Sequence, residues 1–440
     1  TESGIFVPYL NLTSVDEASI LDSRSSMSPY LVVKVNGQRI FCRGGNWGMD
    51  DGMKNTSRSK LEPYLKLHKE QNFNMVRNWT GESTESTFFE LCDEYGMLVF
   101  NDFWMSTEGY NLQPADDDLF LDNVRDVVKR FRNHPSIVIW CARNEGFAPE
   151  YIEKGISEIV KKEDGTRHYL PNSIDINMET SGPWNYISNH EVYSAKYAYG
   201  FKTEIGSHAL PTAETIRSMM ASEDTWPISD VWYYHDWHMK PIGSEGFSDI
   251  YKNAIDSKLG ASSGLDEFCE KAQIINYETY RAIFEAWNSK MWNNTSGILL
   301  WMSHPAWPSM VWQTYSYDGE TTGAYFGAKK ACEPIHIQLS AINYGIDIIN
   351  TTLIDLHNLK AYVDIFTPEG KQIKKQLYNI QMAGANAITK VEELTNRHSM
   401  PDLVYVKLTL KDKNNKIISE NSYWDAKDKN NANYHSLNSL

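Results

Sequence analysis

The sequence predicts a (β/α)8 barrel followed by an all-β sandwich, on three observations. From Val35 to Pro334 short apolar runs alternate with helical segments. Those runs number eight, and a span of roughly 300 residues suits an eight-stranded parallel barrel with insertions. After Pro334 the chain turns to short strands at regular spacing, broken by Gly, Asn and Asp, as a β-sandwich of immunoglobulin-like type requires.

Residues 1–35 read as the remnant of a preceding β-domain, with strand-like pieces at Ile5–Leu10 and Tyr30–Val35. Val35-Asn-Gly-Gln38 is a hairpin signal, because Asn-Gly tolerates the positive φ of a two-residue turn. Arg39–Arg43 then reads as a buried strand running into a Gly-Gly turn, the first of the barrel assigned to 36–334. The remaining barrel strands are expected at Asn74–Trp79, Met97–Phe103, Ser136–Cys141, Ser173–Ile176, Trp184–Ile187, Gly200–Ile205 and Gly297–Met302. Leu121, Val124, Val127, Val128 and Phe131 recur at helical spacing and mark an amphipathic helix closed by Asn133-His-Pro135. The longest helical pattern runs from Leu265 to about Met291. The sandwich is assigned to 335–440, and its Lys/Asn/Asp-rich tail from Asp425 reads as a linker or frayed end.

Composition narrows the function. The 440 residues carry 42 Lys+Arg against 57 Asp+Glu, a net charge of −15. An acidic chain without a basic run lacks the electrostatic footprint for nucleic acid or anionic lipid. No apolar stretch approaches the ~20 residues that span a bilayer. Five scattered cysteines without C-x-x-C spacing read as buried thiols. His235-Asp-Trp-His238 resembles a metal pair but lacks a placed third ligand, and Asp116-Asp-Asp118 reads as helix capping, so neither a metal nor a cofactor is expected.

In such a barrel, catalytic groups follow the carboxyl ends of strands. Asn144-Glu145 follows the fourth expected strand and Glu204 closes the seventh. Two carboxyl groups across one mouth are what retaining glycoside hydrolysis uses: one attacks the anomeric carbon while the other protonates the leaving oxygen. Trp47, Trp79, Trp184 and Trp301 fall at or near strand ends, where indole faces can stack on sugar C–H faces, whereas Trp140 lies inside an apolar run and reads as core. The partner these features fit is an oligosaccharide.

Val35-Asn-Gly-Gln-Arg-Ile-Phe-Cys-Arg-Gly-Gly-Asn-Trp47, Phe88-Phe-Glu-Leu-Cys-Asp-Glu-Tyr-Gly-Met-Leu-Val99, Arg130-Phe-Arg-Asn-His-Pro-Ser136 and Asn144-Glu145 resemble glycoside hydrolase family 2. The resemblance implies acid/base work for Glu145, nucleophilic attack by Glu204, and a contact from Asn144 to the sugar 2-position. Phe268-Cys-Glu-Lys-Ala-Gln273 and Gly323-Ala-Tyr-Phe-Gly-Ala-Lys-Lys-Ala331 are similar to the exo-β-D-glucosaminidase branch. Gly44-Gly-Asn-Trp-Gly-Met-Asp-Asp51 and Arg77-Asn-Trp79 look more like the β-mannosidase and endo-β-mannosidase branches, which implies sugar contacts from Asp51 and Arg77. Asn144-Glu145 also stands where the glucosaminidase branch can carry Ser-Asp.

The expectation is therefore a retaining exo-glycosidase without cofactor, resembling the C-terminal part of a larger enzyme. Exo-β-D-glucosaminidase is the first choice and β-mannosidase the alternative. A catalytically silent carbohydrate-binding protein is the rival of another class. A terminal glucosaminium would need a carboxylate partner, for which Asp50, Asp51, Glu82 and Asp102 are the candidates. A polysaccharide substrate would place the enzyme in the periplasm or outside the cell.

Overall fold

The computed structural model describes residues 30–106, 113–175, 178–237, 246–394 and 397–430, together with 432, 434 and 437. The strand expected at Ile5–Leu10 lies outside the described residues, as does His238 of the suggested metal pair.

The Asn-Gly signal forms the hairpin expected of it. Strands β1 (Val33–Val35) and β2 (Gln38–Ile40) pair antiparallel across Asn36 and Gly37, both at positive φ. The first barrel strand begins only afterwards, at β3 (Cys42–Trp47), so the run expected as one strand over 39–43 is divided between hairpin and barrel. The Gly-Gly pair is not a turn. It lies inside β3, where a Cβ on Gly44 would stand 1.7 Å from the Met75 carbonyl oxygen of the next strand. Close approach of two backbones, not chain reversal, requires glycine there.

Parallel strands follow β3: β4 (Met75–Asn78), β5 (Leu98–Asp102), β6 (Ile137–Cys141), β7 (His168–Leu170), β8 (Met178–Glu179), β9 (Gly200–Ile205) and β10 (Thr295–Leu300). They form one eight-stranded sheet in the order β7-β6-β5-β4-β3-β10-β9-β8. The fifth and sixth strands differ from expectation. They are the short β7 and β8, whereas 173–175 bends and 184–187 is irregular. Because each replacement precedes β9, the positions of the fourth and seventh strands in the barrel do not change.

The strands alternate as the pleat dictates. Met75, Phe100, Ile139, Phe201 and Leu299 meet in one apolar cluster inside the barrel. Val76, Val99, Ile137 and Ile298 face outward into the cluster shared with the helices. The helices are α1 (Arg58–Glu70), α2 (Ser86–Tyr95), α3 (Asp117–Phe131), α4 (Glu150–Glu163), α5 (Ala213–Met219), α6 (Phe247–Leu259), α7 (Leu265–Asn288) and α8 (Gly323–Ala331), of which α5 and α6 pack instead in a second cluster with the first turns of α7. Helix α3 buries Leu121, Val124, Val128 and Phe131 of the predicted stripe and leaves Val127 partly buried at its edge, and the Asp116 carboxylate caps the helix by accepting from Leu119 N at 2.9 Å.

Beyond α8 two antiparallel sheets face each other. One contains β11 (Ile335–Leu339), β12 (Gly345–Asn350) and β15 (Ala387–Glu393). The other contains β13 (Leu356–Phe366), β14 (Gln372–Ala383), β16 (Leu403–Lys411) and β17 (Ile417–Ala426). Ile337, Ile348, Val363, Val406 and Leu408 fill the space between them. The tail is not frayed where it is described. Ala432 and Tyr434 are buried against α6 and α7, and Tyr434 N donates to Lys258 O at 2.9 Å. Among the described residues no helix is long and apolar enough to cross a membrane. All five cysteines are buried and free.

Candidate active site

The carboxyl ends of β3, β4, β5, β6 and β9 converge on one guanidinium. Arg77, two residues beyond inward-facing Met75, is fully buried. Its Nε and Nη2 donate to Asp102 Oδ1 and Oδ2 at 3.2 and 2.7 Å, a bidentate pair. Nη1 donates to Glu204 Oε1 at 2.9 Å and to Asn46 Oδ1 at 3.3 Å. Nη2 also donates to Asn144 Oδ1 at 2.7 Å. Burial alone would loosen the Arg77 proton, but the Asp102 and Glu204 charges hold it more tightly than usual.

Glu204, on β9, is 3% exposed. Besides Arg77 it accepts from Trp184 Nε1 at 3.3 Å. Burial pushes its carboxyl up to about 7; Arg77 opposes that rise and the nearby Glu145 charge adds to it. Glu145 is half-buried, just past β6. Its φ is +43°, a strained value for a residue with a Cβ, and Gly146 follows at +88°. Two successive left-handed residues reverse the chain sharply at the barrel mouth. Two hydrogen bonds fix that turn, from Asn144 N to Met105 O at 2.9 Å and from Glu145 N to Ser173 Oγ at 3.0 Å. A row of indoles leads away from Trp184. Trp79 and Trp301 meet edge-to-face at 4.9 Å, Trp301 lies 6.0 Å from Trp312, and Trp312 Nε1 donates to Trp184 O at 2.9 Å.

The structure thus brings Asn144, Glu145, Arg77, Trp184 and Glu204 together, with Trp79 and Trp301 along one side. Two expected sugar contacts stand elsewhere. Trp47 is completely buried, stacked on His304 at 3.8 Å and donating to Asp50 Oδ1 at 2.8 Å, so its faces belong to the core. Asp51 is 1% exposed and occupied by its own loop. Its Oδ2 accepts from Met53 N and Asn55 N at 2.9 and 3.1 Å, and its Oδ1 accepts from the Tyr317 hydroxyl at 2.6 Å. Arg77 lies beneath the cleft and holds other groups in place. Asp102, Asn46 and Ser173 were not anticipated in that positioning role. A signal existed for the first of them: Arg77 and Asp102 each stand two residues beyond an inward-facing apolar residue, where a charge inside a barrel needs a partner.

Chemically, the mouth offers one deeply buried carboxyl held by two donors and a second, more accessible carboxyl on a rigid turn. Residues 31–283 match the family described as glycosyl hydrolases family 2, TIM barrel domain. A mannosylglycoprotein endo-beta-mannosidase of Lilium longiflorum is 31% identical over 454 residues, covering 89% of this chain and 47% of that protein. An exo-beta-D-glucosaminidase of Streptomyces avermitilis is 29% identical, covering 89% of this chain and 46% of that protein. The chain spans about half the length of the curated relatives it matches. Among solved structures, a beta-D-mannosidase from Dictyoglomus thermophilum superposes with a TM-score of 0.78 at 26% identity, over 90% of this chain and 51% of that one. The exo-chitosanase CsxA of Amycolatopsis orientalis gives 0.82 at 23% identity, over 90% and 50%, a likeness of fold.

Proposed function

The chain belongs to glycoside hydrolase family 2, and from that membership we propose that it carries the catalytic centre of a retaining β-glycoside hydrolase acting on the terminal sugar of an oligosaccharide. The observation that carries the reading is the pairing of Glu145 and Glu204 across one mouth, at the ends of the fourth and seventh barrel strands.

In the first step a Glu204 oxygen attacks the anomeric carbon while Glu145 gives its proton to the departing glycosidic oxygen, leaving a glycosyl ester on Glu204. In the second, Glu145 takes a proton from water, the resulting hydroxide oxygen attacks the anomeric carbon, and Glu204 leaves as carboxylate. Arg77 and Trp184 hold the Glu204 carboxyl in its line of attack through their N–H groups, while Asp102 holds Arg77. The wall of Trp79 and Trp301 is the surface for a sugar ring.

The named relatives take either a 2-amino or a 2-hydroxy sugar, so the reaction class stands apart from the choice of sugar. A barrel over 36–334, a sandwich over 335–440 and a site of action in the periplasm or outside the cell belong to the same proposal.

Leaving-group dependence tests it. In Glu145→Ala, aryl glycosides with good phenolate leaving groups need no proton donor and keep most of their first-step rate, natural glycosides lose on the order of 10²–10⁴-fold, and azide restores turnover of the ester. Equal loss on both substrate types, or sugar binding with no turnover by the wild type, would contradict the reading.

A further inference from the structure

The segments that carry the two carboxyl groups are joined by a closed ring of hydrogen bonds, and Ser173 is the member that touches both. The ring starts at a bulge. Between Lys202 and Ile205 strand β9 carries one residue more than β10 does between Ile298 and Leu300, so Thr203 and Glu204 both turn inward although they are neighbours in the chain. Thr203 Oγ1 donates to Ser173 O at 2.9 Å. Ser173 Oγ donates to Asn144 Oδ1 at 3.3 Å, Asn144 Oδ1 accepts from Arg77 Nη2 at 2.7 Å, and Arg77 Nη1 donates to Glu204 Oε1 at 2.9 Å, which closes the circuit.

Ser173 lies off the strands, in the bend that follows β7. Its backbone is fixed there by Asn172, whose Oδ1 accepts from Ile174 N and Asp175 N at 3.0 and 2.8 Å. The Ser173 side chain is fully buried, so its hydroxyl has no solvent to exchange partners with. A hydroxyl donates once and accepts through its lone pairs. Here the proton goes to Asn144, and a lone pair takes the Glu145 N–H at 3.0 Å. That second bond acts on strained backbone, because Glu145 sits at a φ of +43°, a conformation that persists only while its surroundings hold it.

We propose that Ser173 is a positioning residue for proton transfer: through the Glu145 N–H its hydroxyl sets the aim of the acid/base carboxyl, without touching substrate. The inference rests on the hydrolase reading above. Glu204 is held separately, through Arg77 and Trp184, so loss of the Ser173 hydroxyl should impair protonation of the leaving group and spare nucleophilic attack.

The test uses the full-length protein and two aryl β-glycosides of one sugar, a 2,4-dinitrophenyl and an unsubstituted phenyl glycoside. The sugar is whichever of D-mannose, D-glucose and 2-amino-2-deoxy-D-glucose the wild type releases fastest from its 4-nitrophenyl β-glycoside. Dinitrophenolate departs without a proton, whereas phenolate needs one. In Ser173→Ala, kcat/KM on the phenyl glycoside should fall on the order of 10-fold while that on the dinitrophenyl glycoside stays within about three-fold, because a displaced acid forfeits part of what general acid catalysis supplies. Thr203→Val removes a hydroxyl from the same ring at an equally buried position, but on the strand of the nucleophile, and should change both rates by one common factor.

Equal losses on the two glycosides in Ser173→Ala, or no loss on either, would overturn the inference, as would the same discrimination in Thr203→Val. If Glu145→Ala separates the two leaving groups and Ser173→Ala does not, the hydrolase reading stands and only the inference falls. Hydrolysis of none of these glycosides by the wild type would overturn both.

Discussion

Two glutamates, each almost buried and each facing an arginine, titrate in opposite directions. Glu285, on α7, joins barrel to sandwich. Its Oε1 accepts from His336 Nε2, Asn421 Nδ2 and the Tyr423 hydroxyl at 2.9, 2.8 and 2.8 Å, with Arg281 Nε 4.0 Å from Oε2. Burial would raise its carboxyl, but these partners outweigh it and hold it below the usual range. Glu204 has two donors, one of them a 3.3 Å contact, and burial wins, lifting it to about 7. A carboxylate that the protein satisfies is inert and serves the fold. One left short of donors keeps its basicity for a reaction, which is how environment separates a structural from a reactive group.

The largest effect expected from that difference is on rate. Glu204→Gln should reduce kcat by at least about 10⁴-fold, since the nucleophile is lost. Glu285→Gln should leave the rate per folded molecule within about two-fold, a prediction that rests on its role in positioning the domains only. Steady-state kinetics on one aryl glycoside reads both. Comparable losses would erase the distinction between the two sites.

Stability should rank them the other way. Glu285→Ala strands His336, Asn421 and Tyr423 and should cost about 3–5 kcal/mol by denaturant unfolding. Glu204→Gln leaves Arg77 with Asp102, Asn46 and Asn144 and should cost about 1 kcal/mol or less. The junction also carries a pH signature. Glu285 and Glu333 raise His336 above its ordinary 6.5, so its contribution is full below that value and fades as pH rises through the raised one. Glu285 is depressed below its ordinary 4.5, so its contribution is full above that value and fades as pH falls through the depressed one. The cost of His336→Gln should therefore be greatest between about pH 4.5 and 6.5 and smaller at pH 9. A cost independent of pH would remove the ion pair from the account.

The smallest effect is the shape of the acid limb. With Glu204 lifted to about 7, kcat/KM should begin to fall near that pH and then drop about ten-fold per unit as the nucleophile protonates. A limb below pH 5 would mean that Arg77 and Trp184 solvate Glu204 as fully as its counterpart on α7.

The same contrast explains what the sequence made legible. Glu145 is readable because it follows a strand with a strong apolar run and Glu204 because it closes the run expected at 200–205, and counting strands placed them opposite each other. The count survived although its fifth and sixth members were elsewhere. Strand β7 has three residues and β8 only two, too few for alternation to register, while the apolar Trp184–Ile187 stretch packs without joining the sheet. Trp47 misled for a related reason: a strand-end indole can turn inward, and its stacking on His304 arises from residues far apart in sequence. The hubs at Arg77 and at Glu285 each draw ligands from several distant elements, so only the fold assembles them.

Covalent trapping of the nucleophile is the most direct measurement. A 2-deoxy-2-fluoro glycosyl fluoride that slows the second step should add one fluorosugar per molecule, and peptide mass spectrometry should find it esterified to Glu204. Glu204→Gln should take up none. A label on Glu145, Glu285 or any other carboxylate, or undiminished labelling of Glu204→Gln, would contradict the assignment.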